Sequence, residues 1–146
     1  GVKLWVSAFC DDARVDPIVE RAVAYDVPIL VHCWVKIGGN LPFESTPMHL
    51  GRLARRYPEA KLIMAHLGGD WEYGYKVARD CPNVYVDTSG SIAEMDEIEK
   101  LVGAIGAERV LFGTDMPLLD PCSSLYKVYD AEIDEDELLR SLRLVE

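Results

Sequence analysis

Residues Lys61–Gly69 read K-L-I-M-A-H-L-G-G: an apolar run that ends in His66 and then breaks at a Gly-Gly pair. A short, continuously apolar run bounded by turn signals reads as a strand buried on both faces, the pattern of a parallel sheet. Four similar runs flank it: Val2–Val6 (VKLWV), Pro28–Cys33 (PILVHC), Val84–Thr88 (VYVDT) and Arg109–Gly113 (RVLFG). The strand starts, near residues 2, 28, 61, 84 and 109, are 26, 33, 23 and 25 residues apart. Each gap holds one helical pattern. Asp16-Pro17 and Thr46-Pro47 combine a capping residue with a proline at the first helical position. Apolar stripes follow both, and Pro58 stops the second at Tyr57. Trp71–Asp80 and Ile92–Val102 also read as helices. Asp134 and Glu137 have capping-box spacing ahead of Leu138, Leu139 and Leu142.

Strands alternating with single helices at this step predict right-handed βαβ units in an α/β fold. Two architectures fit. One is part of a (β/α)8 TIM barrel, which takes about 250 residues when whole. The alternative is an open five-stranded doubly wound sheet. No Gly/Ser/Pro linker divides residues 1–146, so the chain reads as a single α/β domain.

Composition narrows the function. The 146 residues are 49% hydrophobic and 27% charged, as in an ordinary folded domain. The formal charge of 15 − 25 = −10 repels nucleic acid, so no nucleic-acid partner is expected. No apolar run approaches the ~20 residues of a membrane helix, and the first residues carry no secretory pattern. Cys10, Cys33, Cys81 and Cys122 form no C-x-x-C pair. They read as reduced thiols of a cytoplasmic protein.

In both architectures chemistry belongs at the carboxyl ends of the strands. The second run ends in His32, the third in His66, the fourth in Asp87-Thr88-Ser89 and the fifth in Thr114-Asp115. Two of the three histidines thus occupy equivalent places in successive units. By strand alternation His32 shares a face with Leu30, His66 with Leu62 and Met64, and Asp115 with Leu111 and Gly113. Imidazole and carboxylate together suit a borderline cation, zinc first, with manganese, cobalt or iron as alternatives. His32, His66 and Asp115 are therefore the candidate metal ligands, and His66 and Asp115 the candidate catalytic groups. His49, off its helix's apolar stripe, reads as a solvated surface residue. Asp87 stands between a substrate contact and a helix cap. Trp34, Trp71 and Tyr73 are either pocket walls or packing, and Lys3 is either structural or a substrate-side cation.

The stretches PILVHCW, LARRYPEAKLIMAHLGG, NVYVDTSG and RVLFGTDMP resemble consecutive segments of the amidohydrolase superfamily, in the branch that includes aminocarboxymuconate-semialdehyde decarboxylase. The likeness runs from about Gly1 to Pro117. It implies a metal-dependent barrel with the five runs as strands four to eight. By that pattern His32 ligates the metal, Asp115 ligates it and handles the proton of the attacking water, and His66 polarises the substrate or transfers a proton. It also implies hydrolysis or decarboxylation of a small-molecule substrate, carboxylated or cyclic. The family's first strand supplies an H-x-H pair, which this sequence lacks. The chain is therefore expected to be a portion of a longer protein, or a half-barrel that pairs as a homo-oligomer or with a missing barrel half. The alternative reading is a non-catalytic flavodoxin-like binding module.

Overall fold

The computed structural model describes residues 1–134 and Asp136. Five strands, β1 (Val2–Leu4), β2 (Ile29–Val31), β3 (Leu62–Met64), β4 (Val84–Asp87) and β5 (Val110–Leu111), each precede a helix. The helices are α1 (Asp16–Ala24), α2 (Pro47–Arg56), α3 (Trp71–Asp80), α4 (Glu97–Ile105) and α5 (Pro121–Tyr129). The sheet is wholly parallel, in the order β1-β2-β3-β4-β5. Leu4, Val31, Met64, Val86 and Val110 stand in register across it.

That order decides between the two architectures. A doubly wound sheet reverses direction at a switch point and carries helices on both faces. Here strand order follows sequence order, and neighbouring helices pack on one another, α2 on α3 and α3 on α4. Among the described residues only one face of the sheet is covered. Ile29, Val31, Leu62, Met64, Val84, Val86 and Val110 lie beneath the helices at 0–1% exposure. The alternating residues Leu30, Ile63, Tyr85 and Leu111 are only half-buried. The five units form an arc of a parallel barrel with its inner face open, and the doubly wound alternative is excluded. The core between arc and helices includes Val19, Leu50, Leu53, Ile98 and Leu101, all at most 1% exposed. Burying each such side chain contributes about 1.5–3 kcal/mol.

Several local expectations change. The strands are two to four residues long, shorter than the apolar runs, because pairing ends where the backbone turns into the loops. Asp16 does not cap α1 but lies within its first turn. Val15 stands at its N-cap without a side-chain hydrogen bond, and Asp12, which accepts from Arg14 N at 2.9 Å, caps the short 3-10 turn Ala13–Val15 that leads into α1. The helix expected over Ile92–Val102 begins only at Glu97. Asp96 sits at φ 65°, outside helical geometry, and Lys127 Nζ occupies the Ile92 carbonyl at 2.5 Å. The helix expected after Asp134 lies outside the described residues.

Candidate active site

His32 follows the last residue of β2, and strand alternation turns its ring to the open face. His66 reaches the same region by another route. Its parity would send it under the helices with Leu62 and Met64. However, β3 stops at Met64, and His66 and Leu67 adopt φ 63° and 50°. Two successive non-glycine residues in the left-handed region cost roughly 1–2 kcal/mol each. The turn is held by His66 N, which donates to Asp87 Oδ1 at 2.9 Å. Asp115 is also left-handed, at φ 56°. Strain at two of the three candidate residues is the kind of departure that clusters at working sites.

The two imidazoles meet. His66 Nε2 lies 3.1 Å from His32 Nδ1. The outer nitrogens are held by two separate carboxylates. Ser89 Oγ donates to Asp87 Oδ1 at 2.5 Å, so its single proton is committed. Ser89 Oγ therefore accepts from His66 Nδ1 at 2.9 Å. On the other side His32 Nε2 donates to Glu44 Oε1 at 2.9 Å. In the neutral rings both facing nitrogens, His66 Nε2 and His32 Nδ1, then carry lone pairs.

Protonation does not readily relieve this contact at His66. Its pKa is lowered to about 4, chiefly by burial, against an opposing pull from Asp87 and Asp115. For Glu44, burial pushes the carboxyl up, but donations from Lys36, His32 and Leu41 N outweigh it and hold the group below its usual range. Two facing imidazole lone pairs suit a shared cation. Nitrogens bound to one zinc-class ion at about 2.0–2.1 Å stand roughly 3 Å apart, close to the spacing seen here. The pair therefore fits a divalent metal as two of its donors. Among the described residues no group of three or more His, Cys, Asp or Glu side chains is arranged to hold one.

Asp115 lines a cavity of about 420 Å³ together with Lys3, Leu30, Ile63, His66 and Asp87. The structure thus brings His32 and His66 into contact and places Asp115 on the cavity that His66 lines, without closing the three into one ligand group. Gly113 makes room for this arrangement: a Cβ there would lie 3.1 Å from Ser89 Cβ and 3.2 Å from Asp87 Cγ. Asp87, at 8% exposure, neither caps a helix nor stands free; its Oδ1 also accepts from Ser89 N at 3.0 Å. Trp34 lies over the pair, its ring 5.2 Å from that of His66 and 6.1 Å from that of His32. Trp71 instead packs in the core and donates to Glu94 Oε2 at 2.9 Å, and Tyr73 is exposed. His49 is not a free surface residue. It accepts from Thr46 N at 3.1 Å and stacks on Phe9 at 4.4 Å, which stops the start of α2 from fraying.

Glu44 was not legible in the sequence. It lies in the irregular stretch before Thr46-Pro47, 12 residues from His32, where no periodicity marks an inward-facing residue. Its one signal is a lone acid in the short segment LPFEST.

The profile of the amidohydrolase family matches residues 3–143, past Pro117, where the sequence likeness stops. The chain belongs to this family. No curated protein matches it. Solved structures do. A TIM-barrel protein from Bordetella bronchiseptica superposes with a TM-score of 0.75 at 21% identity, over 95% of this chain and 49% of that one. A 5-carboxyvanillate decarboxylase from Novosphingobium aromaticivorans, complexed with manganese, gives 0.73 at 17% identity, over 99% and 54%. A dihydroxybenzoic acid decarboxylase from Polaromonas, with bound manganese and 2-nitroresorcinol, gives 0.69 at 22%, over 91% and 52%. At these identities the likeness establishes the barrel fold. The chain spans about half the length of these three structures.

Proposed function

We propose that this amidohydrolase chain carries one side of a metal-dependent active site for a small carboxylated or cyclic substrate. The reaction is attack by activated water or the related decarboxylation. The observation that carries the reading is the pair of facing lone pairs on His32 Nδ1 and His66 Nε2.

His32 and Asp115 are the assigned metal donors, with His66 at the boundary between ligand and proton carrier. When bound, a divalent ion acts as a Lewis acid and lowers the pKa of water toward ~7. His66, neutral near pH 7 because of its burial, offers Nε2 as a proton acceptor. Asp115, which lines the same cavity as His66, takes the second proton. Lys3 is the cation on the cavity wall, and it suits a substrate carboxylate. Trp34 gives a flat apolar wall for a ring.

Zinc suits this donor set. Manganese is supported by the two decarboxylase structures that contain it, and cobalt and iron share the same ligand chemistry. β1 and β5 are the sheet's edges among the described residues. Three further strands would close an eight-stranded barrel, so the partner we assign is a missing barrel portion rather than a second copy of these five. No described helix is long and apolar enough to cross a membrane. All four cysteines are free thiols, which supports a reducing compartment such as the cytoplasm.

The test is elemental analysis of the purified full natural chain, joined to a substrate panel. Aromatic carboxylates are followed by carbon dioxide release, and amides and lactones by hydrolysis. Metal uptake that falls in His32→Ala and Asp115→Ala supports the reading. A metal-free wild type, with activity indifferent to chelation and to both substitutions, overturns it.

A further inference from the structure

Glu44 is 1% exposed and belongs to neither a strand nor a helix. A carboxylate buried in this way is stable only if its lone pairs are taken up. Lys36 Nζ donates to Oε1 at 2.7 Å and to Oε2 at 3.0 Å, and Leu41 N donates to Oε2 at 2.8 Å. The remaining contact is His32 Nε2 at 2.9 Å. An ionised carboxylate can only accept, so the proton of His32 is drawn to Nε2 and away from the nitrogen that faces His66.

Without Glu44 the preference reverses. His66 Nε2 is a fixed acceptor, because Ser89 holds the other proton of that ring. A Nδ1–H on His32 would then gain a hydrogen bond to His66 at the existing 3.1 Å. The default state of the pair is therefore a closed imidazole–imidazole bond with no free donor atom. Only a carboxylate on the far nitrogen opens it.

We propose that Glu44 is the positioning residue of the site: it holds His32 in the Nε2–H tautomer, presents Nδ1 as a free donor atom, and ties that state to the 36–44 loop through Lys36 and Leu41. The inference rests on the functional reading above for its consequence, since a protonated Nδ1 cannot ligate. Outer partners of ligating histidines typically change metal affinity 10–100-fold when removed.

The test is long-range proton–nitrogen correlation NMR on the metal-free full natural chain with 15N-labelled histidine. Wild-type His32 is expected with a protonated Nε2 and an unprotonated Nδ1. Glu44→Ala is expected to move the proton to Nδ1, with the His49 signals unchanged, and to weaken Mn2+ or Zn2+ binding 10–100-fold by titration calorimetry. Lys36→Met removes the loop tie and leaves the His32–Glu44 bond, so it should keep the wild-type tautomer. A purely structural Glu44 would make the two variants alike. Protonated Nδ1 in the wild type, an unchanged tautomer in Glu44→Ala, or a flipped one in Lys36→Met each overturns the proposal. The wild-type spectrum decides the matter even if Glu44→Ala fails to fold. A wild type that binds neither metal but shows the Nε2–H tautomer overturns the functional reading and leaves the tautomer assignment intact.

Discussion

His32 Nδ1 and His66 Nε2 stand 3.1 Å apart with their outer nitrogens anchored to opposite carboxylates, Glu44 and, through Ser89, Asp87. The contact brings together two units 34 residues apart in sequence. It makes His66 a sensitive reporter of the site, because burial opposes a second proton on that ring.

Stability of the metal-free protein should therefore depend on pH through His66. Burial lowers its pKa from 6.5 to about 4. Between those values the unfolded chain binds more protons than the folded one, so stability rises with pH across that window. The stability associated with neutral His66 is present above pH 6.5 and is lost as pH falls through about 4. The total is on the order of 3 kcal/mol. Urea titrations at several pH values should show this slope, and His66→Asn should flatten it. An equally steep wild type and variant would remove His66 as the cause.

Substitutions at the two histidines should separate holding a metal from moving a proton. His32→Ala should lower metal content and activity together. His66→Asn should retain most of the metal, because Asn keeps a polar group beside Trp34, and should lower kcat by about 10²–10⁴. The readouts are metal content and steady-state kinetics of each variant. Loss of metal in both would make His66 a full ligand and move the catalytic assignment to Asp115.

The turn that carries His66 depends on a close backbone approach. A Cβ on Gly74 in α3 would lie 2.0 Å from the Leu67 carbonyl oxygen. Leu67 is already left-handed and has little room to retreat. Gly74→Ala should therefore destabilise the fold by about 1–3 kcal/mol, as overpacking does elsewhere. Helix propensity alone would predict the opposite sign. Chemical denaturation gives the direction, and a stabilised variant would show that the turn can move.

Much of this arrangement was visible in the chain. The five apolar runs and their spacing gave the parallel βα order, and the polar residues at the run ends gave His32, His66 and Asp115. Spacing could not choose between an arc and a doubly wound sheet, because both use the same local unit; strand order is a tertiary fact. Parity misplaced His66, since the redirection comes from a left-handed turn stabilised by Asp87, 21 residues away. Glu44 escaped for the same reason: its burial depends on four hydrogen bonds made within an irregular loop.

Arg109 is another residue whose role only the fold shows. It begins the run RVLFG, yet its side chain joins two helix ends. Nε donates to the Ile105 carbonyl at 3.0 Å, at the end of α4. Nη1 donates to the Ala78 carbonyl in the last turn of α3 at 2.9 Å, and to Val84 O at 3.3 Å. The last carbonyls of a helix have no partner within it, and a planar five-donor fork can serve several at once. Arg109 also directly precedes β5, so its anchoring fixes the strand that leads to Asp115. Arg109→Met should cost about 1–3 kcal/mol in denaturant unfolding, because it strands partly buried acceptors. Arg109→Lys, with a single point of donation, should recover less than half of that loss. Full recovery by lysine would mean that charge near the helix ends, rather than the fork geometry, holds α3, α4 and β5 together.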